Sequence, residues 1–129
     1  LSTDSFGQEE IECYNQKVWT PGNRVPPSFG HNRRFIRFSD VLLMAAEALN
    51  EDNRPTEAHT HLNRVRQRAR EGNNTILPDV TTTNKDQLRD RILHERRVEL
   101  ALEGHRFWDL VRTGRASAVL GPLGFVAGK

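Results

Sequence analysis

Glu95, Glu99 and Glu103 recur at every fourth position of a leucine-rich segment, and this spacing constrains the fold of the chain more than any other feature. At 100° per residue on a helix, the three carboxylates share an arc of about 80°. The same arc holds Leu88 and Ile92, and Leu93, Leu100 and Leu102 lie on its flanks. Each carboxylate in such an apolar stripe needs a cation or a donor, because an unpaired buried charge costs several kcal/mol. The expectation is therefore a set of packed helices whose seams carry arginine–glutamate pairs.

Composition supports internal pairing. The 129 residues hold 19 basic and 17 acidic side chains for a net charge of +2, and 16 of the bases are Arg against 3 Lys. The guanidinium fork matches a carboxylate with two hydrogen bonds and tolerates desolvation better than an ammonium. The length suits one domain with a modest core. No apolar run is long enough to span a bilayer. The N-terminus, which begins at Leu1, carries no signal-peptide pattern. Cys13 is the single cysteine, which excludes an internal disulfide and a multi-cysteine metal site.

Residues 1–34 have little period and are punctuated by Gly7, Pro21, Gly22, Pro26, Pro27 and Gly30. They read as an irregular, loop-rich lead-in with a short strand near residues 16–20. A first helix is expected over 39–50 with Ser39 or Asp40 as N-cap. Phe38, Val41, Leu42, Ala45, Ala46, Ala48 and Leu49 cover more than half its circumference, which predicts burial on several sides. Pro55 opens a second helix, 55–71, whose narrow apolar stripe is Ala58, Leu62, Val65 and Ala69. The spacing of Asn84 and Gln87 resembles a capping box and starts a third helix that runs to about 103. Gly104 interrupts it, a short helix follows over 105–111, and one more turn is expected at 116–120. The fold class is all-α, with antiparallel helical hairpins over 35–129.

Sites with chemistry are scarce. Arg64, Arg66, Arg68 and Arg70 flank the stripe of the second helix on both sides instead of forming one basic face, and no aromatic residues interleave with them. This disfavours nucleic-acid binding. His94-Glu95 begins like a zinc-protease motif, but Val98 stands where the second His would be needed. No metal and no cofactor is expected. No nucleophile elbow or phosphate loop is present. Glu99 and Glu103 have the pairing a glycosidase would need, but their leucine and arginine surroundings favour structural pairing. Phe107 and Trp108 read as core anchors beside Leu110 and Val111. Tyr14 and Trp19 lie in the polar lead-in, where an exposed ring can stack on a sugar, and are the candidate ligand contacts.

Three ordered segments resemble the SusD/RagB-like family. They are Arg37-Phe38-Ser39-Asp40-Val41-Leu42-Leu43-Met44-Ala45-Ala46-Glu47-Ala48, then Leu62-Asn63-Arg64-Val65-Arg66-Gln67-Arg68-Ala69, then Glu95-Arg96-Arg97 through Glu103-Gly104-His105-Arg106-Phe107-Trp108-Asp109-Leu110. The resemblance covers about 34–121. It implies the C-terminal helical part, tetratricopeptide-like, of a protein several times this length. It further implies a cell-surface lipoprotein of the outer membrane, anchored by a lipid that this chain lacks. Such a protein captures glycans or other nutrients for a SusC-like TonB-dependent transporter and is not an enzyme. None of the matching motifs is a ligand-contact motif, so no sugar site carries over.

The residues expected to form the inter-helix ion-pair lattice are Arg37, Arg64, Arg66, Arg68, Glu95, Arg96, Glu99, Glu103, Arg106 and Asp109. Two alternatives stay open on the residues alone: a helical-repeat module that binds peptides, and a glycoside hydrolase fragment using Glu99 and Glu103.

Overall fold

The computed structural model describes residues 35–124, together with Ser2, Thr3, Glu9, Glu10 and Lys17. The chain divides into two units, Leu1–Phe35 and Ile36–Lys129. In the first, β1 (Ser2–Thr3) and β2 (Glu9–Glu10) form a two-residue antiparallel ladder that pairs Ser2 with Glu10 and Thr3 with Glu9. Of residues 16–20, where a strand is expected, only Lys17 is described, and it is not in a strand; Cys13 and the candidate rings Tyr14 and Trp19 lie outside the described residues.

The second unit is all-α. Its elements are α1 (Phe38–Glu51), α2 (Pro55–Arg70), α3 (Lys85–Glu99), α4 (His105–Arg112) and α5 (Ala116–Leu120), followed by a 3₁₀ turn at Gly121–Leu123. A three-residue link joins α1 to α2 as a helical hairpin, and α3 packs against both. The core between them is Leu42, Leu43, Ala46, Ala58, Leu62, Val65, Leu88 and Ile92. Asn50, fully enclosed, donates from Nδ2 to the Lys85 carbonyl at 3.0 Å and so ties the end of α1 to the start of α3.

Helix boundaries follow local chemistry, with two departures from the sequence expectation. Pro55 occupies the first turn of α2, and Glu71 ends that helix in the left-handed region at φ 47°. Asn84 Oδ1 accepts from the Gln87 amide at 3.0 Å, while the Gln87 side chain accepts from the Thr82 hydroxyl at 2.8 Å. Only half of a capping box is therefore made. The first departure is at the start of α1, where Arg37, not Ser39 or Asp40, holds the N-cap position. Both of those residues are buried within the first turn of the helix. Asp40 accepts from Arg96 through Oδ1 and so points to α3 instead of capping its own helix.

The second departure is the end of α3, which stops at Glu99 and not near 103. Arg37 Nη2 donates to the Glu99 carbonyl at 2.5 Å, so that oxygen no longer serves the fourth residue ahead. The Glu103 amide bonds the Leu100 carbonyl at 3.2 Å instead. Leu102 then turns at φ 65° and is 74 % exposed, far from the flank position assigned to it on a continuous helix.

Apolar burial is one-sided. Leu42, Leu43 and Ala46 of α1 face the core, whereas Phe38, Val41 and Met44 are exposed, so α1 is covered on fewer sides than its composition suggests. Of the stripe on α2, Ala58, Leu62 and Val65 are buried and Ala69 is exposed. Among the described residues no helix is long and apolar enough to cross a membrane.

Candidate functional site

The charged side chains between the helices form three clusters, each pairing arginines with largely buried carboxylates. Arg37, just ahead of α1, reaches the end of α3. Its Nε and Nη2 meet Glu103 at 2.7 and 2.8 Å, and its Nη1 meets Glu99 at 2.5 Å. Arg68 of α2 donates from its single Nη2 to both Glu99 carboxylate oxygens, at 2.7 and 2.9 Å. Glu99 thus joins α1, α2 and α3 through one carboxylate. The hydrogen bonds that Arg37 donates to Glu103, together with those to Glu99, hold its guanidinium above its ordinary value against the opposing effect of burial.

The second cluster is Arg66 with Glu95, an ion pair between α2 and α3 in which both side chains are largely buried. Arg66 is one of four α2 residues that hold the 71–84 loop. Asn63 exchanges two hydrogen bonds with the Val80 backbone at 3.0 and 2.8 Å. His59 Nε2 contacts the Thr82 carbonyl at 2.8 Å. Arg66 donates to Pro78, and Arg70 donates to Leu77 at 2.8 Å while pairing with Asp79. These four positions follow i, i+4, i+7 and i+11, so the polar face of α2 is a docking strip for a loop that has no helix or sheet of its own. That periodicity was visible in the sequence.

The third cluster is the most enclosed. Arg96, 5 % exposed, donates from Nη1 to Asp40 at 2.8 Å and from Nε to Asp109 at 3.0 Å, joining α1, α3 and α4. Arg112 adds to Asp109 at 2.9 Å and grips Glu47 of α1 with two bonds of 2.6 and 2.8 Å. Burial alone would raise the Asp109 carboxyl. The bonds from Arg96 and then Arg112, reinforced by their charges, take it below its ordinary value. No buried side-chain polar atom among the described residues lacks a hydrogen-bond partner.

Three expected placements differ. Arg64 meets no carboxylate among the described residues; its guanidinium sits 5.0 Å from the centre of the Phe38 ring, a cation–π contact. Arg106 likewise faces no carboxylate partner and lines a cleft. Phe107 and Trp108 are not core anchors, being 43 % and 67 % exposed. Their rings meet edge to face, with centroids 5.4 Å apart. In the eight-residue α4 the inward positions belong to Asp109 and Leu110, and the Arg96–Asp109 pair fixes that rotation. The aromatic rings are turned outward as a result.

The cleft bordered by Arg106 lies between α3, α4 and α5 and has a volume of about 180 Å³. Leu93 and Leu110 form its floor, and Arg97, Arg106, Arg115 and His94 line it with Asp90 and Asp109. Among the described residues no group of three His, Cys, Asp or Glu side chains has the arrangement of a metal site.

An all-α hairpin unit braced by arginine–carboxylate clusters defines a scaffold, and comparison with known proteins places it. The SusD family model matches residues 8–123, so the chain belongs to the SusD family. It is 52 % identical over 92 residues to SusD-like protein P38 of Formosa agariphila, a match covering 68 % of this chain and 18 % of that protein. Two further proteins of the same organism, SusD-like proteins P2 and P25, are 41 % and 39 % identical over 92 and 103 residues. Those matches take in 69 % and 78 % of this chain and 18 % and 19 % of the relatives. The chain therefore spans about a fifth of the length of the curated relatives it matches. No solved structure gives a significant match.

Proposed function

We propose that this chain is the helical scaffold part of a non-catalytic, cell-surface nutrient-binding protein. The family match through residues 8–123 carries this reading. The nutrient is a glycan, and the protein delivers it to a SusC-like TonB-dependent transporter of the outer membrane. A lipid anchor borne outside these residues holds it at the surface. The helices supply rigidity, and Tyr14 and Trp19 of the lead-in, outside the described residues, are the candidate sugar contacts.

The disposition of the acids supports a binding role over hydrolysis. A glycosidase needs one carboxyl group free to give a proton and a second free to attack or to activate water. Glu99 and Glu103 instead accept guanidinium hydrogen bonds from Arg37, and Glu99 from Arg68 as well.

The test uses the whole protein of which this chain is a part, purified from the cell envelope. Binding to a panel of soluble polysaccharides in affinity gels, with no release of reducing ends and with co-purification of a TonB-dependent transporter, is the expected outcome. Sugar turnover lost in Glu99→Gln, or binding of peptides and no polysaccharide, would overturn it.

A further inference from the structure

The cleft between α3, α4 and α5 differs from every ion cluster described above in its charge balance. Its two acids are already committed: Asp90 to Arg115 at 2.6 Å, and Asp109 to Arg96 and Arg112. Arg97 and Arg106 have no hydrogen bond or ion pair among the described residues, yet both line the same small cavity. Arg97 is exposed and Arg106 is half-buried.

Several charges and partial burial bear on Arg106. Burial presses its guanidinium below the ordinary value, the charge of Arg97 adds to this, Asp109 opposes it, and Arg115 contributes further repulsion. It also sits in the first turn of α4, where the positive end of the helix disfavours a cation. Among the described residues no buried side-chain polar atom is unpartnered, so the nitrogens of Arg106, which have no hydrogen bond there, keep access to solvent at the cleft they line. Elsewhere in this unit the half-buried arginines Arg37, Arg66, Arg70 and Arg89 each meet a carboxylate. Arg106 is the exception, and Arg97, whose charge bears on it across the same cleft, has no partner among the described residues either.

We infer that this cleft is a binding site for a small oxyanion, held between the forks of Arg97 and Arg106 over the apolar floor of Leu93 and Leu110. A carboxylate, sulfate or phosphate group presents the paired oxygens that a guanidinium bonds with two parallel N–H donors. A volume of about 180 Å³ is below the range of roughly 300–1,000 Å³ typical of whole-ligand pockets, so it admits a charged group and not an entire sugar chain. The anion is borne either by a soluble ligand or by an acidic side chain of the longer polypeptide. This inference stands apart from the glycan reading and does not depend on it.

Calorimetric titration of the 129-residue chain with sodium sulfate and with sodium glucuronate, at ionic strength held constant with sodium chloride, tests it. Saturable binding of both salts is expected, with no heat from neutral glucose. The double variant Arg97→Gln/Arg106→Gln should bind at least tenfold more weakly, while Arg89→Gln, on a different face of α3, should keep the wild-type affinity. Equal binding by wild type and double variant, or equal loss in Arg89→Gln, would overturn the site. A readout free of substitution is the ¹⁵Nε–Hε resonances of Arg97 and Arg106, which should move on sulfate addition; unmoved resonances would also overturn it. Repeating the titration on the longer protein separates the sources. Binding retained there identifies a soluble anion, and binding lost there identifies a carboxylate of the same polypeptide seated in the cleft.

Discussion

The α1–α2–α3 part of the helical unit and the α4–α5 part are held by different forces. Leu43, Ala46, Ala58, Leu62, Leu88 and Ile92 of the first are completely enclosed, and the charges at its seams sit around that core. In α4 and α5 only Asp109 and Leu110 are buried, while Phe107, Trp108, Val111 and Val119 remain exposed. Helix α4 is positioned by Arg96 and Arg112, which clamp Asp109 and Glu47. A helix of eight residues is too short to be stable alone. Its place therefore depends on whether those charges stay paired, and the contrast can be probed by substitutions that act on one part only.

The largest effect is expected from Arg96→Ala. It leaves both Asp40 and Asp109 enclosed without their main cation, and breaking a buried pair costs about 3–5 kcal/mol. Urea unfolding followed by circular dichroism should show a marked fall in the midpoint. A shift equal to that of an exposed arginine such as Arg91 would mean that the clamp is dispensable. Leu62→Ala should cost about 2–5 kcal/mol through the cavity it opens between α1, α2 and α3. Its effect should be global, whereas hydrogen exchange in α4 of the Arg96 variant should rise before that of α2.

Acid should loosen the clamp before the core. The Asp109 carboxyl lies below its ordinary value in the folded protein. Its contribution to stability is therefore present above the unfolded carboxyl pKa of about 4 and is lost as pH falls through the folded value. The thermal midpoint should be level from pH 7 to 5 and drop below about 4, and Asp109→Asn should remove part of that acid limb. An unchanged slope in the variant would place the titration elsewhere. The smallest effect belongs to Trp108→Ser, expected within about 0.5 kcal/mol of wild type because the ring lies outward. A loss of several kcal/mol would show that the ring is buried in solution.

The core seams were legible because their signal is periodic. The stripe at Ala58, Leu62 and Val65, the proline opening α2 and the Asn84 cap all act within a few residues of themselves. The rotation of α4 was not legible, since a segment with apolar residues at 107, 108, 110 and 111 offers two faces of similar hydrophobicity. The choice between them is made by Arg96, an acid's distant partner rather than a local preference. The same holds for Asp40, which reads locally as a cap and is drawn inside by the same guanidinium. Helix angles place Glu95, Glu99 and Glu103 on one apolar face but cannot name the arginine each one meets. The end of α3 escaped notice for a related reason, as the Glu99 carbonyl is claimed by Arg37 from 62 positions away. Of the candidate site, the arginines were visible as a class, but their unequal compensation became apparent only in three dimensions.

A double-mutant cycle on Arg66 and Glu95, built from Arg66→Ala, Glu95→Ala and the double variant in urea unfolding, probes most directly whether enclosed acids bind these helices together. A coupling of about 1–3 kcal/mol is the expected result for two largely buried partners in contact. Additive losses, with a coupling below about 0.3 kcal/mol, would contradict it and leave leucine packing alone to join α2 to α3.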